Sequence, residues 1–88
     1  MAQKIKFDPA AEQDLKKLDT QTQRRILKYL NEHIAPLDDP RDVGKQLVDP
    51  KFRGYWRYRV GDYRIICAIR DSELRVIFIG KRDKIYNK

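Results

Sequence analysis

Apolar residues alternate with lysines at the start of the chain. Ile5 and Phe7 are interleaved with Lys4 and Lys6, a period of two that predicts a short first strand. Asp8-Pro9 then reads as a helix start, with Asp8 as the cap, Pro9 in the first turn and Glu12 placed to complement the helix dipole. Ala11, Leu15 and Leu18 recur at helical spacing. Thr20 with Gln23 predicts a capping box opening a second helix, which buries Ile26, Leu27, Leu30 and Ile34 and stops before Pro36. So short a link between two helices predicts an antiparallel helical hairpin. Residues 36–44, PLDDPRDVG, are turn formers and read as a loop.

From Gly54 the period becomes that of strands: GYWRYRV, a turn at Gly61-Asp62, YRIICAIR, a turn near Asp71-Ser72, then LRVIFIGK and a basic tail, RDKIYNK. Two consecutive hairpins make the sheet mainly antiparallel, with the helical hairpin on one face. The expected fold is therefore α+β, with about four strands, in one domain over residues 1–88.

The turns also predict the faces. A two-residue loop at Gly61-Asp62 sets Val60 opposite Tyr63, Arg59 opposite Arg64 and Arg57 opposite Ile66, and directly opposite residues share a face. Trp56, Tyr58, Val60, Tyr63, Ile65, Cys67 and Ile69 then point to the helices. Tyr55, Arg57, Arg59, Arg64, Ile66 and Ala68 point away from them. For the second hairpin, a loop at Asp71-Ser72 sets Arg70 opposite Glu73, which is preferable to the repulsive Arg70–Arg75 pair of the alternative register. Either register puts Ile77, Ile79 and Lys81 on the face of Arg64. The far face is thus expected to be apolar at one end and cationic at the other.

Charge sharpens this picture. The formal net charge is +7, and residues 1–50 hold nine Lys/Arg against nine Asp/Glu, so the excess belongs to residues 51–88, with eleven cations and four acids. A segregated basic surface attracts phosphate backbones or an acidic partner. Arg59 opposite Arg64 is a like-charge pair that costs stability, as folding alone would not select. The single cysteine, Cys67, reads as a buried small hydrophobe and fits a reducing compartment. No apolar run spans a bilayer, and the opening residues contain no signal-peptide core, so the expectation is a cytoplasmic protein with no membrane partner.

Familiar catalytic kits are missing. The sequence has no GxGxxG, no Walker loop and no metal-spaced His or Cys pair. His33 reads as a helix-edge residue, and Asp38, Asp39 and Asp42 as a solvated loop, so neither metal nor cofactor is expected. RNA cleavage needs neither in principle. The 2′-hydroxyl can attack the adjacent phosphate in line if one group takes its proton, another neutralises the phosphate and a third protonates the leaving oxygen. Arginine forks suit phosphate oxygens, and a tyrosine amid cations is shifted toward phenolate. Tyr86, four residues after Arg82, is the candidate base, with packing of the tail as its other reading.

The run Gly61-Asp62-Tyr63-Arg64-Ile65-Ile66, preceded by Tyr58-Arg59-Val60 and followed by Gly80-Lys81-Arg82-Asp83-Lys84-Ile85-Tyr86, resembles the RelE branch of the RelE/ParE toxin superfamily. The order of strand, helical hairpin and three further strands is also similar. The resemblance implies a ribosome-dependent messenger RNA endonuclease, the toxin of a type II toxin–antitoxin pair. It implies ribosome, mRNA and a cognate antitoxin with an acidic or amphipathic segment as partners, and a toxin–antitoxin complex that binds operator DNA. By position, Arg64 matches the arginine that stabilises the phosphate transition state, Arg82 a general acid or phosphate clamp, and Tyr86 the general base. Arg57 stands where the branch has the second of two lysines and Tyr55 where it has the first, with Lys51 or Arg53 as replacements. Lys51, Arg53, Arg57, Arg59 and Lys81 are the expected phosphate-binding residues. The competing readings are a ParE-like inhibitor of DNA gyrase and a non-catalytic nucleic-acid-binding module.

Overall fold

Strand β1 spans Lys4–Phe7, helix α1 Pro9–Lys16 and helix α2 Thr20–Tyr29, while β2 to β5 cover Lys45–Gln46, Trp56–Val60, Tyr63–Arg70 and Glu73–Lys81. These elements come from a computed structural model, which describes residues 3–48 and 50–81. One sheet contains all five strands in the order β1-β5-β4-β3-β2, with β1 parallel to β5 and every other pair antiparallel. The α+β class and antiparallel-rich sheet are as expected, but the described residues form five strands rather than about four. The additional strand, β2, follows the loop of residues 36–44 and pairs with β3 over only two residues, too few to show an alternation.

Local sequence explains the helix ends with two corrections. Asp8 occupies the cap position of α1 but makes no side-chain cap. Its carboxylate instead accepts from Arg75 Nη1 at 3.0 Å, an ion pair that outcompetes a backbone amide. The cap of α2 is Asp19 rather than Thr20, and it accepts from the Thr22 amide at 3.2 Å. Gln23 reaches back as a capping-box residue would, but donates to the Leu18 carbonyl at 2.8 Å. After Tyr29 the chain continues as a π-helical turn, Leu30–Ile34, and ends before Pro36.

The core lies between helices and sheet, with α1 against β5 and α2 against β3. Ala11, Leu15, Ile26, Leu30 and Ile34 pack with Tyr58, Val60, Ile65, Cys67, Leu74, Val76 and Ile79. Each fully buried Leu or Ile contributes about 1.5–3 kcal/mol of burial free energy. Cys67 is fully enclosed, and burial pushes its thiol pKa well up, so it behaves as the small hydrophobe expected. Tyr58 crosses the core to donate to the Pro40 carbonyl at 2.6 Å, and it packs over Gly44, where a β-carbon would stand 2.9 Å from the ring.

Both hairpin loops are as expected: Val60 pairs with Tyr63, Arg59 with Arg64, Arg57 with Ile66 and Arg70 with Glu73. Gly61 and Asp71 take the positive φ values, 59° and 54°, that these tight loops require. Beyond the second loop the register slips. Cys67 pairs with Val76 but Ile66 pairs with Phe78, which leaves Ile77 as a bulge. One extra residue inverts every side chain after it. Ile79 therefore enters the helix-covered core at 4% exposure, and Lys81 lies opposite Tyr63, contrary to the expectation that both share the face of Arg64. Asp14 fixes the shifted strand by accepting from the Ile79 amide at 3.2 Å.

Candidate nucleic-acid interface

Across the far face of the sheet, the pairings set out two rows. Lys45, Arg57, Ile66 and Phe78 stand side by side on β2, β3, β4 and β5, and Arg59, Arg64 and Gly80 form the next row. Two cation pairs are thus held directly opposite one another, Lys45 with Arg57 and Arg59 with Arg64. Directly opposed side chains start from β-carbons about 4.5–5.5 Å apart. Gly80 contributes no side chain to its row.

The apolar end of this face is closed. Leu47 and Ile66 are buried there with Phe52, Tyr55 and Phe78 packed against them, and the Phe52 and Phe78 rings lie 6.4 Å apart. The segment between β2 and β3 folds onto the face because the Leu47 amide donates to the Tyr55 carbonyl and the Tyr55 amide to the Phe52 carbonyl, both at 3.0 Å. Its turn, Pro50–Phe52, exposes Lys51, with Nζ 5.7 Å from the Phe52 ring centre, and Arg53 is exposed just after it. The cationic row is bounded on one side by this apolar cluster.

Arg64 is only 5% exposed, whereas Arg59 is exposed and Arg57 half-buried. As expected, Arg64 lies on the far face outside both apolar clusters, but its guanidinium is largely enclosed, with Nη1 3.5 Å from the Tyr63 carbonyl. An enclosed fork is held in one geometry before a ligand arrives, and a phosphate reaching it would be partly desolvated, which strengthens each charge-assisted bond.

Of the sequence-selected residues, Arg57, Arg59 and Arg64 share one surface. Lys51 and Arg53 are exposed on the segment before β3, Lys81 is on the opposite face, and Arg82 and Tyr86 lie outside the described residues. Sequence reasoning missed Lys45. The only signal was the polar pair Lys45-Gln46 before the buried Leu47, too short to read as a strand. His33 is exposed at the helix edge, its ring 5.5 Å from that of Tyr29. In the acidic loop, Asp39 accepts from the Arg41 amide and Nε at 3.0 and 2.9 Å, and these bonds hold its carboxyl below the usual range. Among the described residues no helix is long and apolar enough to cross a membrane.

The same architecture occurs in solved toxins. The RelBE2 toxin–antitoxin complex from Mycobacterium tuberculosis contains a chain that superposes with a TM-score of 0.82 at 23% identity, over 93% of this chain and 100% of that one. An arginine-to-alanine double mutant of the Escherichia coli toxin RelE in its free state gives 0.75 at 20% identity, over 99% of this chain and 90% of that one. The RelB–RelE antitoxin–toxin complex of Methanococcus jannaschii gives 0.67 at 22% identity, over 93% and 95%. At these identities the likeness establishes the fold. No curated protein sequence matches the chain. The family model described as the ParE toxin of type II toxin–antitoxin systems, parDE, matches residues 5–86. With nearly the whole chain inside that match and its fold that of RelE, this chain belongs to the RelE/ParE superfamily of type II toxin–antitoxin toxins.

Proposed function

We propose that the chain is a toxin that cuts messenger RNA on the ribosome, in the cytoplasm, and is neutralised by a cognate antitoxin. The observation that carries this reading is the enclosed Arg64 facing Arg59 across one strand pair, next to the Lys45–Arg57 pair. Like charges so placed oppose folding, and a phosphate between them reverses the sign of the interaction.

Cleavage then proceeds by in-line attack. The 2′-oxygen bonds to phosphorus as its proton passes to a base, and the bond to the 5′-oxygen breaks as that oxygen takes a proton from an acid. A cyclic phosphate and a free 5′-hydroxyl result. In this reading Arg64, with Arg59, binds the non-bridging oxygens as negative charge builds on them. Tyr86 as base and Arg82 as acid or clamp complete the proposal from the resemblance. Lys45, Arg57, Lys51 and Arg53 hold the flanking phosphates, and the ribosome orients the strand, a task beyond so small a surface. The antitoxin offers an acidic or amphipathic segment to the basic half of the chain and covers or displaces residues 82–88, and the complex binds operator DNA.

The match to a ParE family model supports a second reading, inhibition of DNA gyrase by the same fold. One experiment separates the two. Purified protein is incubated in parallel with programmed ribosomes, mapping mRNA 5′ ends, and with gyrase, following supercoiling. New mRNA ends with unaffected supercoiling are expected. Intact mRNA with blocked supercoiling would overturn the ribonuclease reading in favour of the gyrase one, and neither effect would leave a non-catalytic binding module.

A further inference from the structure

The bulge at Ile77 creates a second cationic site on the helix side of the sheet. There Thr22 and Arg25 of α2, the β3–β4 turn (Val60 to Tyr63) and Lys81 of β5 line an open cleft of about 270 Å³. Lys81 is held over the Tyr63 ring, with Nζ 5.9 Å from its centre. The Arg25 guanidinium lies over the turn, 3.5 Å from where a β-carbon of Gly61 would stand, an ordinary contact distance. Among the described residues Asp62 is the one acid on the rim, and neither Arg25 nor Lys81 forms an ion pair. Two cations from different elements thus line one cleft without an acidic partner of their own.

The position of the cleft says more than its charge. Val60 and Tyr63 face it, and their immediate neighbours Arg59 and Arg64 face the other side of the sheet. The two cationic sites are therefore back to back at one hairpin end. A sheet layer with its side chains is about 10 Å thick. A stacked single strand carries a charge about every 3.4 Å, so a path around the turn takes at least about three nucleotides. A small anion would use one site only, whereas a continuous polyanion uses both. We infer that this cleft is a second phosphate-binding site for single-stranded RNA, which passes around the Gly61-Asp62 turn from the arginine row to Arg25 and Lys81. The inference rests on the ribonuclease reading for its choice of RNA, but its geometry is independent of catalysis.

The test is an NMR titration of the isotope-labelled protein with a single-stranded RNA of about ten nucleotides, at concentrations high enough to register weak binding. Shifts are expected both at Arg57, Arg59 and Arg64 and at Arg25, Gly61 and Tyr63. The R25Q/K81Q double variant should lose the second set and keep the first. Its log–log salt slope should fall by about 1.4, since each phosphate contact on a single strand contributes about 0.7. Wild-type shifts confined to the arginine row, or an unchanged slope in the double variant, would overturn the cleft and leave the ribonuclease reading standing. Shifts confined to the cleft would overturn the path from the arginine row, and would count against the ribonuclease reading as well. A polyglutamate peptide is the control: if it moves the cleft resonances and RNA does not, the cleft serves an acidic protein segment and the RNA assignment fails.

Discussion

The two faces of the sheet obey different rules. On the helix side, Tyr58, Val60, Ile65 and Cys67 alternate inward and are buried against α1 and α2, and burial alone accounts for them. On the far side, the closed patch built on Leu47, Ile66 and Phe78 follows the same rule, but Lys45 faces Arg57 in the row that Ile66 and Phe78 share, and Arg59 faces Arg64 in the next. Like charges set directly opposite one another are a pairing that works against folding. Hydrophobic patterning explains why the chain folds, and it does not account for the arginine row.

Substitutions on the two sides should therefore separate stability from activity. The largest effect is expected for Tyr86→Phe, which removes one oxygen. If Tyr86 is the base, single-turnover mRNA cleavage on ribosomes falls by about 10²–10⁴-fold, the usual worth of a positioned proton-transfer group. Cleavage within about threefold of wild type would reject that role and return attention to Lys45, Lys51 and Arg53. On the helix side, Leu30→Ala should cost about 2–5 kcal/mol by leaving a cavity. A denaturant melt reads that loss, while the folded fraction keeps its full cleavage rate. A drop in rate per folded molecule would show that the two faces are coupled. Arg64→Lys preserves charge and stem but loses the bidentate fork, so cleavage should fall by about 10–100-fold with little change in melting temperature. Tyr58→Phe leaves the buried Pro40 carbonyl without its donor, and about 1–3 kcal/mol of stability should go with it, cleavage being unaffected.

The helix-covered face was legible because alternation and two tight turns determine it: once Gly61-Asp62 and Asp71-Ser72 are loops, the inward set follows. The same logic failed beyond Val76 for a physical reason. Val76, Ile77, Phe78 and Ile79 are all apolar, so the run carries no phase and hides a bulge, and the face of Lys81 was lost with it. Strand β2 is too short to alternate, and Lys45 went unseen for that reason. The cap of α2 fell one residue early because Asp19 and Thr20 are both good caps, and the carboxylate won. The burial of Arg64 depends on tertiary neighbours, which no local pattern reports. What the sequence did convey about the site is the Arg59–Arg64 pairing, because turn geometry alone determines it.

The most direct test of the central claim, that these arginines are kept for phosphate at the expense of the fold, is Arg59→Thr measured twice on one preparation. Relief of the like-charge pair should raise stability by about 0.2–1 kcal/mol, a gain of a few degrees in melting temperature for a domain of this size. In the same sample, mRNA cleavage on programmed ribosomes should fall about tenfold, as expected for the loss of one charged contact to phosphate. A more stable protein that cuts more slowly is the expected result. A variant that melts lower, or that cuts as fast as wild type, would contradict the claim.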